Sequence, residues 1–135
     1  MIALDSSFLV AFHNSRDVHH QAAGHVMADF LDGRWGRGLL LEYVYLEVVT
    51  VLMVGRGAKV ASDVAAVLLE ARELDFVPCS PLFLETVETF RVQHGTRLSF
   101  VDAAIVNVAR ARADGRVATF DRDFVGIDGM NVIPG

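Results

Sequence analysis

The feature that most constrains the fold is an alternation between short apolar runs and longer stretches with helical periodicity. The apolar runs occupy residues 1–4, 38–41, 76–77, 116–120 and 131–133. Turn-forming residues bound these runs, and short bounded runs are typical of strands buried on both faces of a parallel sheet. Helical periodicity marks residues 18–31, 43–54, 61–73, 82–93 and 100–113. The alternation predicts an α/β chain with a mainly parallel sheet and helices on both sides.

Composition narrows the class of protein. The chain has 135 residues, of which 53% are hydrophobic, so we predict one domain over residues 1–135 and exclude intrinsic disorder. Its mean hydropathy of +0.38 is high, but Glu42, Glu47 and Arg56 interrupt the most apolar region, so we expect no membrane span. Instead, the excess apolar surface is expected in a doubly covered sheet or in a subunit interface.

Charge and cysteine content exclude further classes. The formal net charge of −5 argues against a generally basic surface for nucleic acid, although catalytic carboxylates would contribute to that total. Cys79 is the single cysteine, so neither a disulfide framework nor a cysteine-based zinc site is expected. Asp5 interrupts any secretory leader pattern at the N-terminus, and we therefore expect a cytoplasmic protein.

Several acidic residues occupy unusual positions. Asp5 directly follows the first apolar run, and Asp121 directly follows the fourth, with Asp123 two residues later. Since the carboxyl ends of parallel strands share one edge of a sheet, these side chains should meet there. Glu47 lies within an apolar stretch, so we expect it to be at least half buried and to need a partner or a metal. Asp102 stands in the first turn of a helix.

Each of these acids also has a purely structural interpretation. Asp5 could end a strand or cap a helix at residues 8–12, and Asp102 could form a capping box with Ser99. Asp121 and Asp123 could be ordinary loop acids. A functional role is favoured because these acids are expected to lie close together. Carboxylates packed together repel one another unless a cation is present. Oxygen ligands without cysteine or clustered histidine suit Mg²⁺ or Mn²⁺.

Four segments in this order resemble the motifs of PIN-domain ribonucleases: residues 5–7, 45–52, 98–105 and 118–124. In length the chain is similar to the VapC type, which is the toxin of a toxin–antitoxin pair. The resemblance implies a three-layer α/β/α fold with a five-stranded sheet of order 3-2-1-4-5. It also implies a metal-dependent endoribonuclease that leaves 5′-phosphate and 3′-hydroxyl ends, forms a homodimer and is inhibited by a cognate antitoxin.

The resemblance also assigns roles to individual residues. The catalytic acids match Asp5, Glu47, Asp102 and Asp121. The metal ligands match Asp5, Asp102, Asp121 and a further acid, Asp123. The hydroxyl groups expected to orient ligands or contact phosphate are those of Ser6 and Thr119. Arg97 and Arg122 are the nearest cations in sequence, and they either bind phosphates or are solvated surface residues.

One departure from the family pattern concerns the second strand. Family members often end it with Ser or Thr, whereas residues 39–42 here read Leu-Leu-Leu-Glu, so a substrate contact from this strand is in doubt. Glu42 is left outside the site.

Weaker signals receive structural interpretations. We interpret five histidines as surface or local packing residues: His13, His19, His20, His25 and His94. For Trp35, packing on the core is preferred over base stacking. The helical hairpin at residues 43–54 and 61–73 is predicted to contribute to a dimer interface or an antitoxin groove, with core packing as the alternative.

Two other functions stay open. One is a PIN nuclease that processes RNA as housekeeping, and the other is a non-catalytic PIN interaction module. Retention of all four acids argues against the module.

Overall fold

A five-stranded parallel sheet forms the centre of the structure, a computed structural model that describes residues 1–135. The strands are β1 (Ile2–Leu4), β2 (Gly38–Leu41), β3 (Leu74–Val77), β4 (Arg116–Ala118) and β5 (Asn131–Ile133). Their order is β3-β2-β1-β4-β5, and all four pairings are parallel. The order 3-2-1-4-5 implied by the resemblance is therefore confirmed.

Six helices cover the two faces of the sheet and complete a three-layer α/β/α fold. They are α1 (Ser6–His13), α2 (His20–Leu31), α3 (Glu42–Arg56), α4 (Ala58–Glu70), α5 (Phe83–Arg91) and α6 (Phe100–Arg112). Two short 3-10 turns lie at Ser80–Leu82 and Arg122–Phe124. No helix has both the length and the apolar character that a membrane span requires.

The central strands are buried because helices cover both sides of the sheet. Every residue of β1 and β2 is buried, which explains why these strands are apolar runs without alternation. The first residue of β2 is Gly38, and a Cβ there would lie 2.8 Å from Leu74 Cδ2 and 2.9 Å from Phe30 Cζ. Helix α2 can thus approach the sheet closely only where β2 lacks a side chain.

The start of the chain differs from the sequence prediction. Residues 8–12 are predicted only as a segment that Asp5 could cap, whereas the structure has a complete helix, α1. Asp5 does occupy the N-cap position, but its carboxylate makes no capping hydrogen bond. Asp5 is therefore the N-cap residue by position, but its side chain does not cap the helix and is available for another role.

The outer faces of α3 and α4 carry exposed apolar residues. On α3, the buried positions Val44, Val48 and Leu52 are spaced four residues apart and form one inward row. The exposed apolar side chains of this hairpin are Leu46, Val51, Met53, Val54, Val67 and Leu69. The apolar character of the hairpin is thus only partly explained by the core.

Candidate active site

A pocket of about 530 Å³ opens at the carboxyl edge of the sheet, and we call it the acidic pocket. It lies where the start of α1, the start of α6 and the loop after β4 meet. Its acidic lining residues are Asp5, Asp17, Glu47, Asp102, Asp121 and Asp123. Its other lining residues are Ser6, Ser7, Val10, His19, Val51, Arg97, Ser99 and Phe120. Residues that are far apart in sequence therefore share one cleft.

Asp5 is the most deeply buried acid of the site, with only 3% of its surface exposed. Its Oδ2 accepts hydrogen bonds from Thr119 Oγ1 at 2.6 Å and from Ser7 Oγ at 2.8 Å. Burial raises the pKa of Asp5 even though these hydrogen bonds act in the opposite direction. Because both hydroxyls bind Oδ2, Oδ1 is the oxygen left for a ligand.

The same two hydroxyls shape the loop after β4. Ser7 Oγ accepts the Phe120 N–H at 2.9 Å, and Thr119 Oγ1 accepts the Asp121 N–H at 2.9 Å. β4 therefore ends at Ala118, and not at residue 120 as predicted, because the Phe120 amide bonds to a side chain instead of a strand. Residue assignment from sequence missed Ser7, although Ser7 stands in the first motif beside Asp5.

Asp102 caps α6 and also lines the acidic pocket. Ser99 Oγ accepts the Asp102 N–H at 3.1 Å, and Asp102 Oδ2 accepts the Ser99 N–H at 3.3 Å, which completes a capping box for α6. The same carboxylate lines the acidic pocket. Burial, followed by the negative charge of Asp5, raises the pKa of Asp102 to about 6. The cap therefore orients a carboxylate that lies in an electronegative cleft.

Glu47 lies at the edge of the pocket and has a hydrogen-bond partner. Its side chain is exposed, and Ser6 Oγ donates a hydrogen bond to Glu47 Oε1. The reason is helical geometry: Glu47 precedes Val48 of the inward row by one residue, which turns it about 100° away from the core. Apolar neighbours in sequence therefore do not enclose it.

Asp121 and Asp123 lie on the loop after β4. Asp121 is partly buried, and its Oδ1 accepts the Asp123 N–H at 2.8 Å. Asp123 is exposed at the pocket rim. This hydrogen bond sets the spacing of the two carboxylates along the loop.

The two candidate phosphate-binding arginines and the Thr119 hydroxyl lie in different places relative to the acidic pocket. Arg97 is exposed and lines the acidic pocket. Arg122 instead lines a neighbouring depression, together with Val125 and Pro134. Thr119 lines that depression as well, and it is joined to the acidic pocket by hydrogen bonds to Asp5 and to the Asp121 N–H.

The acids of the pocket have no cationic partners. The four ion pairs of the structure join Arg34 to Asp29, Arg37 to Asp75, Lys59 to Asp63 and Arg116 to Asp114. As the side chains stand, no three His, Cys, Asp or Glu residues are arranged to hold a metal ion. The donor chemistry nevertheless suits a hard divalent cation, because unpaired carboxylates that raise one another's pKa are stabilised by positive charge.

Sequence reasoning also missed an aromatic pair at the pocket. The His19 ring stacks on the Phe120 ring, with centroids 4.4 Å apart and planes 2° from parallel. The interpretation of His19 as a surface or local packing residue is therefore incomplete. Its position just before α2 carries no pattern that could have identified it.

Three other residues that were placed outside the site from sequence do lie outside it in the structure. Glu42 Oε1 accepts the Cys79 N–H at 2.9 Å and so ties the start of α3 to the loop after β3. Cys79 is buried, and Trp35 packs against the core. None of the three lines the acidic pocket.

Comparison with known proteins agrees with this architecture. The family model for the PIN domain matches residues 2–130. Among solved structures, VapC20 of Mycobacterium tuberculosis, described as a sarcin-ricin loop cleaving toxin, superposes with a TM-score of 0.81. The two chains are 25% identical, and the match covers 92% of each. No curated protein matches the sequence. The resemblance predicted from the motifs is thereby confirmed, and the chain belongs to the PIN domain family.

Proposed function

We propose that the protein is a metal-dependent endoribonuclease that acts as the toxin of a toxin–antitoxin pair. The observation that carries this proposal is the meeting of Asp5, Asp102 and Asp121 in one pocket without a cationic partner. These aspartates come from the end of β1, the first turn of α6 and the loop after β4. PIN membership and the VapC20 match support a ribonuclease toxin.

Mg²⁺ or Mn²⁺ is the proposed cofactor. Asp5, through Oδ1, would hold the ion together with Asp102 and Asp121, and Asp123 at the rim would contribute directly or through water. A bound divalent ion would lower the pKa of water and offset the negative charge that develops on the reacting phosphate. Without the cation, the carboxylates of the acidic pocket would repel one another and the phosphates of the substrate.

The residues around these ligands have separate tasks in the proposed hydrolysis. Ser7 and Thr119 orient Asp5, and the capping box orients Asp102. Glu47, which accepts a hydrogen bond from Ser6, is positioned to take a proton from the attacking water. In-line attack on phosphorus would break the P–O3′ bond and leave a 5′-phosphate and a 3′-hydroxyl.

Arg97 is favoured over Arg122 as a phosphate contact. Arg97 lines the acidic pocket, whereas Arg122 faces the neighbouring depression. Arginine offers several donors to phosphate oxygens, and one such residue at the rim would hold the chain next to the scissile bond.

RNA is the proposed substrate because the matched VapC20 structure is described as a toxin that cleaves the sarcin-ricin loop. A homodimer and a cognate antitoxin are the proposed partners, and the exposed apolar side chains of α3 and α4 support a protein interface on this hairpin. We propose that the protein acts in the cytoplasm, where its RNA substrate would be found.

The test is cleavage of total RNA by the wild-type protein and by Asp102→Asn, with Mg²⁺ or Mn²⁺ and with chelator. Asparagine retains an oxygen that can accept the Ser99 N–H but removes the charge. We expect metal-dependent cleavage by the wild type and a loss of about 100-fold or more in the variant, since several kcal/mol of charge stabilisation depend on the ligands.

The matched control is Asp32→Asn, an exposed aspartate at the end of α2 and outside the pocket. It should cleave as the wild type does. Equal cleavage by Asp102→Asn, or no cleavage by folded, antitoxin-free wild type, would contradict the proposal.

A further inference from the structure

We propose that His19 and Phe120 form a platform on which a base of single-stranded RNA stacks beside the scissile phosphate. We call this pair the stacking platform. The inference rests on the proposed ribonuclease function and adds a substrate-positioning element to it. The acids of the site would handle the phosphodiester, whereas the stacking platform would hold a neighbouring nucleoside.

The geometry of the two rings carries the proposal. The rings are stacked and nearly parallel, and both residues line the acidic pocket. Phe120 is partly buried, whereas His19 is exposed. One face of the imidazole covers Phe120, and a base would stack on the other face. A flat ring at the mouth of a nuclease pocket is a surface on which a base can lie.

Hydrogen bonds hold the platform in place before any substrate arrives. The Phe120 N–H donates to Ser7 Oγ, the same hydroxyl that binds Asp5. The His19 N–H donates to Asp17 Oδ1 at 2.8 Å. Phe120 also packs on Phe8 in the core, with ring centroids 6.5 Å apart. The position of the platform is therefore coupled to the position of a catalytic aspartate through one serine.

The charge of the protein explains why such a platform is needed. The net charge is −5, and Arg97 is the only arginine or lysine that lines the acidic pocket. Phosphate contacts, which usually supply most of the affinity for nucleic acid, are therefore scarce here. Stacking does not depend on phosphate charge, and it is available to any unpaired base because every base has a π face.

The experiment measures binding of labelled single-stranded oligomers to Asp102→Asn protein with Mg²⁺ by fluorescence anisotropy, so that cleavage does not interfere. The probes are oligo(A), oligo(U) and an abasic ribose-phosphate oligomer of equal length. They share the same backbone charge but differ in stacking. His19→Ala and His19→Phe are compared in this background, and His25→Ala serves as the matched control because His25 is an exposed histidine of α2 outside the pocket.

We expect His19→Ala to weaken binding of oligo(A) by about 5- to 150-fold, which corresponds to one stacked base. The loss should be smaller for oligo(U) and absent for the abasic oligomer. His19→Phe should retain binding, because it keeps a flat ring, and His25→Ala should have no effect. An equal loss on the abasic oligomer, an equal loss in His19→Phe, or no loss in His19→Ala would overturn the stacking platform.

Cleavage of total RNA by the corresponding single variants separates this inference from the proposed function. If the wild type cleaves RNA and His19→Ala binds and cleaves equally well, the platform is wrong and the nuclease stands. If oligo(A) binding depends on His19 but the wild type cleaves nothing, His19 does stack on single-stranded RNA, whereas the nuclease and a scissile phosphate beside the platform are wrong. Loss of fold is not expected from His19→Ala, since the side chain is exposed and makes no capping hydrogen bond.

Discussion

Two pockets of this molecule bury ionisable groups in opposite surroundings. The acidic pocket, of about 530 Å³, encloses Asp5 among other carboxylates. A smaller pocket of about 190 Å³, which we call the apolar pocket, lies between α1, α2 and α4 and is lined by mostly hydrophobic side chains, including Leu4, Leu9 and Leu68. His13 lines the apolar pocket and is half-buried there.

Burial has the same physical effect in both places but opposite effects on the pKa. It raises the pKa of Asp5 and lowers the pKa of His13, because in each case the charged form loses hydration. The apolar pocket gains stability from the side chains that surround it. The acidic pocket instead concentrates unpaired charge, which a metal-free protein tolerates at a cost to its stability. The comparison indicates that the residues around the apolar pocket stabilise the fold, whereas those of the acidic pocket are arranged to bind a ligand.

The largest effect on stability is expected in the apolar pocket. Leu9 is 1% exposed, and Leu9→Ala should lower the free energy of unfolding by about 2–5 kcal/mol through lost burial and a cavity. Denaturant unfolding measures this change. Leu84→Ala, at an 80% exposed position, should change it by less than about 0.5 kcal/mol. We expect the folded fraction of Leu9→Ala to cleave RNA as the wild type does. Normal stability of this variant, or slower cleavage by its folded fraction, would contradict the view that the apolar pocket serves stability and the acidic pocket serves activity.

Ser7→Ala tests the hydrogen bonds of the acidic pocket. The variant loses a donor to Asp5 and leaves the Phe120 N–H without its acceptor, so unfolding free energy should fall by about 1–3 kcal/mol. Unlike Leu9→Ala, it should also reduce cleavage by the folded protein, because Asp5 is no longer held. Ser15→Ala, at an exposed serine, is the control. Full activity of Ser7→Ala would show that the orientation of Asp5 does not depend on this hydroxyl.

Asp102→Asn should stabilise the metal-free protein at neutral pH. The pKa of Asp102 is raised from 3.8 to about 6, so the folded state holds more protons than the unfolded state within that interval. The stability that Asp102 contributes is therefore lost as the pH rises from 3.8 to about 6. The whole shift would correspond to about 3 kcal/mol, which partial exposure and screening reduce to about 1 kcal/mol. Thermal melts with chelator, at neutral pH and below the ordinary value of 3.8, should show the gain only at neutral pH.

Mg²⁺ provides the internal control for that comparison. It should stabilise the wild type at neutral pH more than it stabilises Asp102→Asn, since a ligand that binds the folded state raises its stability. Equal stabilisation of both proteins would place the ion elsewhere.

The smallest effect on stability is expected from His13, and its pH dependence has the opposite sign to that of Asp102. Burial lowers the pKa of His13, so the unfolded state takes up a proton first as pH falls below the ordinary value of 6.5. This group therefore costs stability on acidification, whereas Asp5 and Asp102 gain it. His13→Gln should lose less stability than the wild type between neutral pH and mild acid, measured by denaturant unfolding with chelator. An unchanged pH dependence would show that His13 titrates alike in both states.

Sequence reasoning was most accurate where a local pattern has one physical cause. Apolar runs predicted the five strands to within a few residues, because a strand covered on both faces must be apolar at every position. The strand ends then placed Asp5 and Asp121 at one edge, and the capping box placed Asp102 at the start of α6. The strand order, by contrast, came from the family resemblance and not from any local pattern.

Only the tertiary structure decided which side chains share the cleft and which way they face. Glu47 is exposed although its neighbours are apolar, because the phase of α3 against the core is set by packing. Ser7 meets Thr119 and Phe120 across more than 110 residues of sequence. The stack of His19 on Phe120 likewise depends on how α1, α2 and the loop after β4 close together. The sequence by itself determined the strands, the family and five of the six acids that line the pocket, whereas contacts between distant segments arise only when the chain closes around its core.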